Sequence, residues 1–166
     1  LSTFKFNEPT VDTSNWKTYR NEKSGFGMKH PFDWSLSESV GSVDLSSPEL
    51  AQLAVSAQAE VPPAEITIRE FPNTTAQPVS DFARDFNQGW FENYRAKLYT
   101  TVNGKPAVRY DDIGDPIGEY SPALAVFIED SARNRVVLVT GRLVRDPVST
   151  ERTFNEILST FKFINQ

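Results

Sequence analysis

Four acidic residues, Asp111, Asp112, Asp115 and Glu119, crowd one short stretch that also holds Gly114 and Gly118. Carboxylate oxygens grouped on a turning backbone are the donors that calcium takes. The spacing departs from the EF-hand pattern, and Pro116 and Ile117 interrupt the acids, so a solvated acidic turn is the competing reading. His30 is the chain's sole histidine. A zinc site or a Ser-His-Asp triad would rest wholly on it, beside Pro31, and packing or a surface hydrogen bond is the simpler role. Glu60, Glu65 and Glu70 invite comparison with the paired carboxylates of glycoside hydrolysis. Glu65, however, falls on the outward side of an alternating segment, and solvated charge is expected for all three. Gly25-Phe26-Gly27 lacks the following glycine, lysine and helix start of a phosphate loop, so it reads as turn and close-packing chemistry. Trp34 and Trp90 could contact a ligand, with core packing the expected role for each. No catalytic residue and no cofactor is assigned, and the acidic stretch is the sole metal candidate.

The elements that must position these residues follow from periodicity. Trp16 to Tyr19 and Phe26 to Lys29 read as a hairpin around Arg20–Gly25, and Pro31 ends its second strand. Trp34 to Leu45 alternates weakly, with Leu36, Val43 and Leu45 inward, and is expected to contain a strand. Ser47-Pro48-Glu49 resembles a helix start, giving a short helix and then a loop to Pro63. Ala64 to Phe71 alternates, with Ile66 and Ile68 on one face and Glu65, Thr67 and Arg69 on the other. Val79, Phe82, Phe86, Trp90 and Tyr94 step by three and four, the stripe of an amphipathic helix capped by Ser80. Lys97–Val102, Ala107–Asp111, Ala123–Glu129 and Arg135–Leu143 read as four strands, with Asn103-Gly104 and Asp130–Asn134 as turns. Phe154, Ile157, Leu158 and Phe161 give a last helix leading into a closing strand, where Phe161 and Phe163 share one face. These elements predict an α+β fold, an antiparallel β-sheet with helices packed on it.

Composition bounds the function. A length of 166 residues suits one domain with a substantial core, and 39% hydrophobic residues with 12 Phe argue for a folded chain. The formal net charge of −5, with no run of Lys or Arg, disfavours a nucleic-acid partner. The absence of cysteine removes disulfides, thiolate metal sites and thiol nucleophiles. Apolar runs such as Val136–Val139 are far too short to span a bilayer.

Leu1 to Phe6 and Leu158 to Phe163 are the same sequence, Leu-Ser-Thr-Phe-Lys-Phe, almost the whole chain apart. That spacing suggests a domain-sized repeat. Residues 1–15 then read as the end of a preceding repeat plus a linker, and residues 16–166 as a single domain. A chain that begins inside a repeat, without Met, is expected to be part of something longer, with any export signal or lipid anchor upstream.

Three local patterns together resemble one family. Gly25-Phe26 followed by His30-Pro31-Phe32-Asp33-Trp34 resembles the early hairpin of the PsbP-like proteins, where a Gly-Phe strand runs into an aromatic-Pro-x-x-Trp corner. Val102-Asn103-Gly104-Lys105-Pro106-Ala107 is similar to their central hairpin, and the run from Phe154 to Phe163 to their closing helix and strand. The resemblance spans Trp16 to Phe163, with His30 in place of the more usual Tyr. It implies a PsbP-like α/β/α sandwich, a fold shared with a Ran-binding nuclear import factor. The chain looks most like bacterial PsbP-related envelope proteins rather than the plant photosystem subunit. The resemblance carries no catalytic residues with it.

The resulting expectation is a non-enzymatic binding or scaffolding module, extracytoplasmic, whose partner is another protein or an envelope component. Two alternatives stand beside it. One is self-assembly by strand exchange of the repeated segment. The other is a small-ligand or calcium-binding domain, or an enzyme with an unrecognised site.

Overall fold

Leu124 to Ile128 and Val136 to Val139 run without a polar break, as strands covered on both faces require. They lie in the middle of a large sheet in the computed structural model, which describes residues 4–5, 12–56, 65–86, 96–111, 124–142 and 147–164. The first half of the chain supplies β1 (Phe4–Lys5), β2 (Lys17–Asn21), β3 (Phe26–His30), β4 (Ser35–Ser39), β5 (Ser42–Ser46), α1 (Pro48–Ser56) and β6 (Ile66–Pro72). The second supplies α2 (Val79–Phe86), β7 (Ala96–Val102), β8 (Lys105–Asp111), β9 (Leu124–Asp130), β10 (Arg135–Gly141), α3 (Pro147–Thr160) and β11 (Lys162–Phe163).

The large sheet has the order β1-β7-β8-β9-β10-β6-β5-β4, and a small one has β11-β3-β2. Pairing is antiparallel except at the outer edge, where β1 runs parallel to β7 with Phe4 beside Thr100 and Lys5 beside Thr101. Alternation along β9 and β10 divides the interior in two. Leu124, Val126, Ile128, Val137 and Val139 face the small sheet and α3, meeting Phe26, Met28, Phe154, Ile157, Leu158 and Phe161. Ala125, Phe127, Val136 and Leu138 face the other way, against Val79, Ala83, Phe82 and Phe86 of α2. The architecture is therefore α+β, with the large sheet between α2 and a layer of α3 plus the small sheet.

Most expected elements form where periodicity puts them. Trp34–Leu45 is different: it folds as two strands, β4 and β5, because Gly41 takes φ of 75° and turns the chain back. Ser80 does not cap α2. The helix starts at Val79, the Pro78 carbonyl accepts from the Asp81 and Phe82 N–H groups, and the Val79 N–H donates to Glu129 Oε2 at 3.4 Å. The part of the expected aromatic stripe that includes Trp90 and Tyr94 lies outside the described residues, as does the loop to Pro63. Ser47 does cap α1, its Oγ accepting from Leu50 N–H at 3.4 Å.

The two copies of Leu-Ser-Thr-Phe-Lys-Phe take different places. The C-terminal copy ends α3 and forms β11, with Lys162 opposite Gly27 and Phe163 opposite Phe26 on β3. In the N-terminal copy, Phe4 and Lys5 lie on the β7 edge.

Candidate functional site

Pro31 stops β3, the chain turns at Phe32–Asp33, and Trp34 is buried in the core cluster that holds Tyr19, Phe26 and Met28 of the small sheet before β4 begins. Three residues of β2 (Lys17, Thr18, Tyr19) come together here with His30, Trp34, Ser35 and Leu36, and Lys17 pairs with His30 in the small sheet. Together they line an open concavity of 580 Å³. Both flanking strands are sheet ends, since β2 closes the small sheet and β4 the large one. Their outer edges have no ladder partner among the described residues. Asn21 bridges one end, donating from Nδ2 to Tyr19 Oη at 2.8 Å and to Glu38 Oε2 at 3.2 Å.

His30 is buried, and its Nδ1 has no hydrogen-bond partner. Burial, with the Lys17 ammonium adding to it, lowers its pKa below the usual 6.5, so the imidazole is neutral at pH 7. Burial also raises the Tyr19 phenol, aided by Glu38. A neutral imidazole and an un-ionised phenol, beside Trp34 and Leu36, make a surface that can hydrogen-bond and exclude water. Glu38 also hydrogen-bonds the Tyr19 phenol, which favours its protonated form.

The acidic stretch is described only at its first residue. Asp111 Oδ1 accepts from Arg109 Nε at 2.5 Å, so this carboxylate is tied into the sheet; Asp112, Asp115 and Glu119 lie outside the described residues. Among the described residues no group of three or more metal-ligating side chains comes together. Arg109 is buried and reaches α3 as well, donating to Asn155 Oδ1 at 2.6 Å and to Glu151 Oε1 at 2.8 Å.

Glu60 lies outside the described residues, while Glu65 and Glu70 correct the expectation of solvated charge. Glu65 precedes the first paired residue of β6, escapes the strand's alternation and accepts from Thr150 Oγ1 of α3 at 3.0 Å. Glu70 accepts from Arg135, which also donates to Asp130 Oδ2 at 2.7 Å and to the Ser24 carbonyl, with Phe163 stacked 5.8 Å from its guanidinium. Sequence reasoning missed Arg109 and Arg135. The available signal was a charge at an inward register of an otherwise apolar strand, as in Ala107-Val108-Arg109-Tyr110. Gly25, at φ of 60°, closes the hairpin turn, and a side chain at Gly27 would press on the Tyr19 carbonyl at 3.0 Å.

Neither the protein-family models nor the curated proteins contain a match to this chain. Among solved structures, the cyanobacterial PsbP (CyanoP) of Synechocystis sp. PCC 6803, determined in solution, aligns over 93% of this chain and 95% of its own. The TM-score is 0.52 at 13% identity. The chain has a PsbP-like fold. At that identity the likeness concerns architecture, and it agrees with the hairpin, corner and closing-helix patterns in the sequence. Of the residues that line the concavity, His30 and Trp34 belong to the first of those patterns, the early hairpin with its corner.

Proposed function

We propose that this chain is a non-enzymatic binding or scaffolding module of an extracytoplasmic bacterial envelope protein, with the module proper running from Trp16 onward. Its docking surface is the concavity between β2 and β4, and its partner is an extended protein segment. The observation that carries this reading is that the end strands of the two sheets, β2 and β4, line one concavity, with Trp34, Leu36 and Tyr19 among its residues. Unpaired strand N–H and C=O groups take up an extended segment by main-chain hydrogen bonds, while alternate side chains find apolar contact. The PsbP-like fold supports a module of this kind. So does the use of Arg109, Arg135, Glu65, Glu70 and Asp130 as internal braces, which leaves those groups engaged within the fold.

Panning a random linear peptide library against the immobilised domain tests the reading. Enriched peptides are expected to lose about tenfold or more in affinity on the double variant Thr18→Arg with Ser35→Arg, which fills the concavity from two exposed positions. They are expected to bind Arg69→Glu, away from the concavity, as they bind the original. No enrichment, or equal binding to both variants, refutes the docking surface. Envelope placement is tested separately, by whether protease added to intact cells cuts the full-length protein.

A further inference from the structure

Strand β11 ends the small sheet, so one of its sides has no neighbouring strand among the described residues. The turn between β7 and β8 lies against the closing segment, with Asn103 Nδ2 donating to the Phe161 carbonyl. Between turn and strand is a cleft of 230 Å³ lined by Val102, Asn103, Lys105, Phe161, Lys162 and Phe163. It shares no residue with the concavity at His30.

Ladder geometry decides which main-chain groups are left over here. The Ile164 N–H donates to the Gly25 carbonyl at 2.8 Å, so these two residues are a hydrogen-bonded pair, and antiparallel alternation makes Lys162 with Gly27 the next one. Phe163, opposite Phe26 between them, therefore turns its main-chain groups away from β3. The Phe161 carbonyl, two residues earlier, turns the same way, and Asn103 meets it there. Asn103 thus satisfies that acceptor, whereas the N–H of Phe163, itself a cleft residue, is a donor with no hydrogen-bond partner among the described residues.

The charges around this donor are of one sign. Lys105 and Lys162 line the cleft and no acid does. Alternation along β8 puts Lys105 on the face of Ala107 and Arg109, the face turned toward α3 and the small sheet. Elsewhere in this chain of net charge −5, Arg20, Arg84, Arg109 and Arg135 each meet a carboxylate. Neither cleft lysine is in an ion pair among the described residues.

We propose that this cleft binds a small, doubly charged oxyanion of the phosphate type, which accepts from the Phe163 N–H and is flanked by the ammonium groups of Lys105 and Lys162. An anion that meets both a main-chain donor and two cations gains charge-assisted hydrogen bonds, the stronger kind. The buried Val102 and Phe161 beside it keep part of the site from water, so the attraction is less screened than at an open surface. The volume suits a free ion.

Backbone-amide NMR of the whole chain with added sodium phosphate, at an ionic strength held constant with sodium chloride, tests the site. The Phe163 amide is expected to shift and to saturate. Lys105→Gln combined with Lys162→Gln is expected to weaken phosphate binding about tenfold or more. Lys105→Arg combined with Lys162→Arg, which keeps both charges, is expected to retain it. Arg69→Gln, which removes an exposed charge on β6, is expected to leave the affinity unchanged. No saturable shift at Phe163, or equal affinity in the glutamine pair, overturns the proposal. So does an equal loss in Arg69→Gln, or shifts spread over cationic residues across the whole surface, since either result means an adventitious ion only.

Discussion

The single histidine shows how a residue's surroundings decide its chemistry. Set beside Pro31 at the end of β3, His30 is 5% exposed, has no partner at Nδ1 and is held neutral by burial and by Lys17. Because its folded pKa lies below the unfolded value near 6.5, the unfolded chain binds the proton more readily. The stability it contributes is present above about pH 6.5 and is lost as pH falls toward the folded pKa. The urea midpoint is therefore expected to drop between about pH 7 and about pH 5, and His30→Gln to flatten that drop. An unchanged slope in the variant would remove His30 as its cause. Sequence made the histidine visible and pointed to packing at the corner, but the burial of its ring and its unpaired nitrogen are set by the tertiary fold. The carboxylates at positions 65 and 70 were misread for a related reason. Their partners Thr150 and Arg135 are 85 and 65 residues away in the chain.

Elements with strong local signals were legible. The turn at Asn103-Gly104, with φ of 47° and 77°, is the expected two-residue hairpin connection, and β7 and β8 pair around it from Val102 and Lys105 outward. Asn103 has a second task that no local pattern shows: its Nδ2 donates to the Phe161 carbonyl and so fastens the closing segment. Two substitutions separate the tasks. Asn103→Gly keeps the turn and loses the bond, for an expected cost of about 1 kcal/mol, whereas Asn103→Ala loses both and costs about 2–3 kcal/mol. Equal costs in urea unfolding would mean that the bond to Phe161 carries no weight. The β4–β5 hairpin was the least legible element, because Ser35, Ser37, Ser39, Ser42 and Ser46 dilute the alternation that marks a strand. Its turn was signalled by Gly41 alone.

At the scale of the whole molecule, the sandwich depends on how closely α3 approaches the large sheet. A Cβ at Gly141 would meet the Phe154 ring at 2.7 Å, and both residues are buried. Gly141→Ala is expected to destabilise the protein by about 1–3 kcal/mol through overpacking, and Phe154→Leu in the same chain to recover part of that loss. Additive costs in the double variant would place the strain elsewhere. The sequence by itself determined the number and kind of most elements, the α+β class and a likeness to the PsbP-like fold, because hydrophobic period and turn chemistry act over a few residues. Tertiary structure alone decided that β6 lies beside β10, that Arg109 and Arg135 brace the layers, that two sheet ends enclose the His30 concavity, and that identical segments sit on different strands. Those outcomes depend on contacts between residues distant in the chain, where burial and partner geometry outweigh local preference.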